Sequence, residues 1–237
     1  MTPYYRSTDG AIVVYHARFE DVINAGLVPV LGVALIHDDP PYGLNIRASG
    51  RGEGRMVNTG RPKARSFEPI VGDDKPYDPA PLLELQRPLV TWGANHYASR
   101  LPPSPSWLIW DKRDGTTPDD GSDAELAWSN IGGPARIFRH IWKGTLRASE
   151  TGVPHLYAAQ KPIALCSWVY QRAKLQRGDL VFVPHMGSGP DLAACLGIGL
   201  RCIACDVSEE ACRVAVGARL GAVKPGYDGP IGPLFDK

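Results

Sequence analysis

The sequence predicts an α/β fold, a mostly parallel sheet flanked by helices, and three observations carry that expectation. Short apolar runs of strand character alternate with segments of helical spacing along much of the chain. One such run is stopped abruptly by Asp39-Pro40-Pro41-Tyr42. Another is separated from a following helix by Gly187-Ser188-Gly189. Both interruptions fall at the carboxyl ends of strands, where open parallel sheets bind their ligands.

The elements follow in order. Ala11–Tyr15 reads as a short strand, and Phe19–Asn24 as a short helix ended near Gly26. Val28–His37 is an apolar run of strand character. Residues 44–81 are rich in Gly, Pro and Arg with little periodicity, and loops of that length in a compact domain are commonly functional. Leu82–Gln86 is a helical turn, and Pro88–Trp92 and Trp107–Trp110 are strands. The segments Ser122–Trp128 and Arg136–Trp142 are aromatic and charged, without a clear period. Pro162–Lys174 is the clearest helix, with Pro162 suited to its first turn. Leu180–Val183 is a strand, and Asp191–Leu196 is a short helix after the glycines. Arg201–Cys205 is a strand ending at Asp206. Ser208 caps a last helix that runs to about Leu220, with Glu209 and Glu210 in the first turn, where the helix dipole favours them.

Composition narrows the function classes. The chain has 237 residues, enough for one sizeable core, and is expected to form a single domain over 1–237. Its longest apolar run, Leu27–Ile36, is roughly half of a membrane span. The N-terminus has no charged-then-apolar signal pattern, so a cytoplasmic protein that does not engage membranes is expected. A net charge of +1 is low for a protein that coats nucleic acid. The positive charge is nevertheless concentrated in Arg47, Arg51, Arg55, Arg61, Lys63 and Arg65, directly after the Asp39–Tyr42 motif. Those residues are candidates for phosphate contact. Five cysteines without a signal sequence argue against a disulfide framework. Cys202 and Cys205 have metal-like spacing, but on a strand they point to opposite faces, so no metal is expected.

The two motifs suggest specific chemistry. An amine conjugated to an aromatic ring is a poor nucleophile, because its lone pair is delocalised. The Asp39 carboxylate and the Pro40 carbonyl can both accept hydrogen bonds from such an amine and favour a more tetrahedral nitrogen. Pro40 and Pro41 restrict the backbone that presents them. Tyr42 offers a flat face for an extruded base. In Val183-Pro184-His185-Met186-Gly187-Ser188-Gly189, the glycines allow a ligand to approach the backbone, and Asp206 on the next strand can grip ribose hydroxyls.

In combination and order, Asp39–Tyr42, then Gln160-Lys161-Pro162, then Gly187–Gly189, then Asp206 resembles the amino-group DNA methyltransferases of the beta arrangement. Trp92–His96, Trp110–Lys112, Ser122–Trp128 and Arg136–His140 resemble the small phage and prophage members. The resemblance implies a Rossmann-like S-adenosylmethionine-dependent fold acting on double-stranded DNA in a bacterial host cell. It assigns Asp39, Pro40, Pro41 and Tyr42 to the base. It assigns Pro184, Gly187, Ser188, Gly189 and Asp206 to S-adenosylmethionine, with Lys161 near the cofactor pocket. Aspartate in the first motif position implies adenine N6 as the target. Family members are often dimers, which leaves a homodimer open.

Three positions depart from the family pattern, all on the cofactor side. Val183 replaces an acid, Tyr157-Ala158-Ala159 replaces His-Pro-Thr, and Ala17-Arg18 replaces Gly-Asp. They motivate a rival reading, a DNA-binding protein on a decayed methyltransferase fold. A cytosine-N4 enzyme is the alternative within the same chemistry.

Overall fold

The computed structural model describes residues 1–45, 69–115, 122–143, 146–153, 156–157 and 159–220. In chain order the strands are β1 (Tyr5–Arg6), β2 (Ile12–His16), β3 (Val33–Asp38), β4 (Leu89–Trp92), β5 (Trp107–Asp111), β6 (Ala124–Ser129), β7 (Arg136–Arg139), β8 (Trp142–Lys143), β9 (Leu146–Arg147), β10 (Leu180–Val183) and β11 (Arg201–Asp206). The helices are α1 (Phe19–Asn24), α2 (Ala80–Leu83), α3 (Ile163–Arg172), α4 (Pro190–Ile198) and α5 (Glu209–Val214). A π-helical stretch, Ala215–Leu220, continues α5.

Nine strands form one sheet in the order β1-β2-β11-β10-β3-β4-β6-β5-β7, and β8 and β9 form a separate hairpin. The five central strands, β2 to β4 in that order, are all parallel. β6 runs antiparallel to both β4 and β5. The expected mostly parallel α/β sheet is therefore present. None of the described helices is long and apolar enough to cross a membrane.

Strand alternation divides the core into two layers. Ile12, Val14, Leu35, Val181, Val183, Cys202 and Ala204 pack with Leu165, Val169 and Tyr170 of α3 and with Leu192 and Cys195 of α4. Their sequence neighbours Val13, Tyr15, Ile36, Phe182 and Cys205 face the other way, with Phe19 and Val22 of α1 and with Leu82. Both faces are covered, which explains the nearly continuous apolar runs of the central strands. Cys202 and Cys205 indeed lie in opposite layers, and all five cysteines are free and buried.

Three elements differ from the sequence expectation. The apolar run from Val28 does not enter the sheet until Val33. Val30–Gly32 form a 3₁₀ turn, with Leu31 89% exposed. Pro29 lacks the N–H a ladder needs, and its fixed φ suits that turn. α2 starts at Ala80 rather than Leu82. Finally, β6 and β7 are strands in segments without strand periodicity, because partner strands rather than local pattern define them.

The last helices pack very closely on the glycine loop. Gly189 has a φ of +73°, and a Cβ there would lie 2.6 Å from the Cβ of Ala215. Gly189→Ala is therefore expected to cost about 2 to 4 kcal/mol of unfolding free energy, measured by urea denaturation, because both the backbone conformation and the packing oppose a side chain.

Candidate active site

Strand order reverses between β10 and β3. The chain leaves β10 through α4 to reach β11 on one side, and leaves β3 to reach β4 on the other. Such a switch point opens a crevice at the carboxyl ends of the two strands. A cavity of about 370 Å³ occupies it. Its wall includes Asp39, Pro40, Pro41, Tyr42, Lys161, Gly187, Ser188 and Asp206. The fold thus gathers both sequence motifs around one space. Pro184 lines an adjoining cavity that shares Pro41, Val71, His185 and Val207 with the first. Arg47, Arg51, Arg55, Arg61, Lys63 and Arg65 lie outside the described residues.

Asp39 is the centre of a charged cluster. The Lys161 ammonium donates to both its carboxylate oxygens, at 2.5 and 2.6 Å, and the Tyr42 hydroxyl donates to Oδ1 at 2.8 Å. Lys161 also lies 3.2 Å from Glu125 Oε2 and donates to the Tyr42 oxygen at 3.0 Å. Lys112 holds the other oxygen of Glu125 at 3.1 Å. With an effective dielectric of about 20, attractions at the Asp39 and Glu125 distances differ by only about 1 to 2 kcal/mol. The ammonium is therefore shared between two carboxylates. The sequence placed Lys161 near the cofactor pocket; the structure brings it directly onto Asp39.

The electrostatics follow from this arrangement. Burial raises the Asp39 carboxyl above its usual range, against the pull of Lys161. Burial also pushes Glu125 upward, but Lys161 and Lys112 outweigh it and hold that carboxyl at about 2. Burial opposes the charge on Lys161, yet Asp39 and then Glu125 overcome it and raise its value. Burial, followed by the two carboxylates, keeps the Tyr42 phenol neutral.

Lys161 is fixed from behind. Arg219, 3% exposed on the π-helical stretch, pairs with Glu150 and donates to the Lys161 carbonyl at 3.1 Å. Glu150 Oε1 accepts from the Ile163 amide at 2.8 Å. The main chain is thereby held on both sides of Pro162, at the start of α3.

Tyr42 has its own supports. Its ring stacks on His96, with centroids 5.5 Å apart and planes at 17°. One ring edge abuts Gly93, where a Cβ would fall 2.1 Å from Cε1. Gly93 also has a φ of +67°, so sterics and backbone both require glycine there.

The two residues before Asp39 brace β3 on opposite faces. His37 Nε2 accepts from the Trp92 indole at 2.9 Å, because an indole nitrogen can only donate. The ring proton is then on Nδ1, which donates to Asp191 at 2.5 Å, and Tyr170 donates to the same carboxylate oxygen at 2.5 Å. His37, Cys166 and Asp191 lie close enough to suggest a metal site. Both His37 nitrogens are already committed to these hydrogen bonds, so the group is a protein network. On the other face Asp38, fully buried, accepts from Tyr77 at 2.8 Å and Thr91 at 3.1 Å and pairs with His185 Nδ1 at 2.7 Å. Burial disfavours charge on His185, but Asp38 outweighs it and raises the imidazole above its ordinary value.

On the glycine side, Asp206 accepts from the amides of Gly187 and Ser208, each at 2.8 Å. Ser208 caps α5, accepting from the Ala211 amide. The Ser188 hydroxyl is buried, faces the cavity, and has no hydrogen-bond partner among the described residues. Val183 is 1% exposed in the core and offers the cavity no polar group.

Sequence reasoning missed Gly93, His96, Lys112, Glu125 and His185 as site residues. Gly93 and His96 sit in a glycine-containing break after a strand, the same signal that marked the glycine loop. Lys112 and Glu125 lie in Trp110–Lys112 and Ser122–Trp128, which the resemblance marked, but no role followed for them, because β6 and its pairing with β5 were not foreseen.

No protein-family model matches the sequence, and no curated protein matches it. Solved structures do. PvuII DNA methyltransferase, described as cytosine-N4-specific, superposes with a TM-score of 0.58 at 12% identity, over 90% of this chain and 87% of that one. The M1.HpyAVI–SAM complex matches with a TM-score of 0.50 at 17% identity, over 86% of this chain and 97% of that one. The chain shares its fold with these two proteins. In this fold the acidic motif and the glycine loop face each other across the switch-point crevice.

Two outcomes are expected. Gly93→Ala should displace the Tyr42 ring and destabilise the protein by about 2 kcal/mol or more, read by urea denaturation and by the crystal structure of the variant. His185 has a folded value above its unfolded one, so its stabilising contribution is complete below the unfolded value of 6.5 and is lost as pH rises through the folded value. The destabilisation caused by His185→Asn should therefore be larger at about pH 6 than at about pH 9 in thermal melts.

Proposed function

We propose that this protein is an S-adenosylmethionine-dependent DNA methyltransferase that modifies the exocyclic amine of an extruded base, with adenine N6 as the target. The observation that carries the reading is a half-buried carboxylate, Asp39, facing a glycine loop across a single cavity at the switch point. The fold shared with PvuII DNA methyltransferase supports the chemistry, and the aspartate at position 39 supports adenine.

The residues present fit the cofactor. Ser188 has a buried hydroxyl in need of a partner, and Gly187 exposes backbone to the cavity. The Asp206 oxygens each take one amide hydrogen bond and retain acceptor capacity for ribose hydroxyls. Gly187, Ser188 and Asp206, with Pro184 beside them, would hold it; Gly189 contributes by close packing. When bound, S-adenosylmethionine supplies an electrophilic methyl group on a sulfonium.

Asp39 and the Pro40 carbonyl then accept the two hydrogens of the target amine, directing its lone pair toward the methyl donor. Tyr42, braced on one face by His96, offers the other to the base. Before the base enters, the neutral Tyr42 hydroxyl and Lys161 hold the carboxylate in orientation. Closure of the crevice by the base excludes water and strengthens these contacts. Double-stranded DNA is the proposed partner, with the basic segment from Arg47 to Arg65 as its phosphate contact.

The test is transfer of labelled methyl from S-adenosylmethionine to unmethylated DNA by the wild type and by Asp39→Ala. The variant is expected to lose activity by about a hundredfold or more while its cofactor affinity stays within about threefold. Near-normal turnover by the variant would remove Asp39 from the reactive centre. Nucleoside analysis of the product should find the label on adenine; label on cytosine would overturn the choice of base. Absence of transfer by the wild type, with DNA binding retained, would favour the decayed binding protein.

A further inference from the structure

We propose that Glu125 is a positioning residue: it takes the Lys161 ammonium away from Asp39 when the target amine arrives, so that Asp39 is free to accept from the amine. The inference rests on the reading of Asp39 as the acceptor of that amine.

In the structure the acceptor is already engaged. Both oxygens of Asp39 receive the Lys161 ammonium and Oδ1 also receives the Tyr42 hydroxyl. A carboxylate so bound has one oxygen with capacity left, and its negative charge is largely compensated. An incoming amine can reach only that oxygen, Oδ2, and there it competes with Lys161 for the carboxylate's negative charge rather than for an empty lone pair.

The ammonium has a defined place to go. Glu125 Oε2 is 3.2 Å from Lys161 Nζ and 3.2 Å from the Tyr42 hydroxyl. A small shift of Nζ toward Glu125 exchanges one anion for another, and the Tyr42 hydroxyl can turn with it. No proton has to move. Glu125 is kept ionised by Lys161 and Lys112, so it can receive the ammonium without first losing a proton.

The surroundings restrict the alternatives. Lys161 is 7% exposed on its side chain, and its main chain is held by Arg219 and Glu150. Its ammonium has four oxygen partners on three residues, both oxygens of Asp39, the Tyr42 hydroxyl and Glu125 Oε2. The charged and titratable groups facing the cluster are Lys112 from the end of β5, Tyr42 with His96 stacked on it, and Lys161 before α3. Lys112 acts in the opposite sense, because it competes with Lys161 for Glu125. The balance between Asp39 and Glu125 thus decides how readily the acceptor is released.

The experiment is a double-mutant cycle in full-length protein, with kcat and KM for S-adenosylmethionine measured on DNA. Glu125→Gln preserves size and should lower kcat by about tenfold or more, with KM for the cofactor within about twofold. In a Lys161→Met background the same change should cost less than about twofold, because no ammonium remains to be moved. An equal loss from Glu125→Gln in both backgrounds overturns the inference. Wild-type transfer with Glu125→Gln within about twofold overturns the inference alone. Absence of wild-type transfer to DNA overturns the reading of the site, and this inference with it.

Discussion

The reversal of strand order between β10 and β3 is the constraint on which the rest depends. Adjacent parallel strands whose connections leave in opposite directions cannot cover the gap between their carboxyl ends. The cavity lies in that gap, and every polar group of consequence is delivered to its rim by an element that the sheet fixes. β3 delivers Asp39, β10 delivers the glycine loop, β11 delivers Asp206 and β4 delivers Gly93 and His96. Because the central strands are buried on both faces, the rim cannot move without disturbing one of the two apolar layers.

Charge at the rim is arranged by pairing. Four ionisable groups, Asp39, Glu125, Lys161 and Lys112, form a compact set in which positive and negative charges balance. Removing one member of such a set leaves a buried charge without compensation, which is far more costly than never burying the pair. The same rule accounts for the Arg219–Glu150 pair, which is buried more deeply than Asp39, Glu125 and Lys112 and holds the main chain at Lys161. Both of its members also bond the main chain around Pro162, so hydrogen bonds add to the mutual attraction, although the buried Arg219 Nε has no hydrogen-bond partner among the described residues.

Much of this was legible in the sequence, and the limits have physical causes. The strands β2, β4, β5, β10 and β11 are apolar runs bounded by breakers, and α3 and α5 carry helical spacing and a good first turn or cap. Such signals are local and survive without tertiary information. The motif Asp39–Tyr42 and the glycine loop were legible for the same reason, since proline and glycine mark special backbone. β6 was not, because Ala124–Ser129 gains its strand conformation from antiparallel neighbours on both sides. With β6 hidden, Glu125 had no place. The pairing of Lys161 with Asp39 joins residues 122 positions apart, a distance at which only the sheet order brings side chains together. Leu31 shows the converse, an apolar residue in an apolar run that ends exposed because the backbone turns before the strand begins.

The end of β3 is tied to both helical layers by consecutive residues, His37 toward α3 and α4, and Asp38 toward Tyr77 and the glycine-loop histidine. Two neighbours on a strand thus act as guy-lines pulling in opposite directions on the residue that follows. In evolutionary terms, the layers are not free to vary independently. A substitution at Tyr170, deep in one layer, and one at Tyr77, at the margin of the other, load the same anchor. Compensating changes would be expected to arise across the sheet rather than within either layer, so that the history of one face is written into the other.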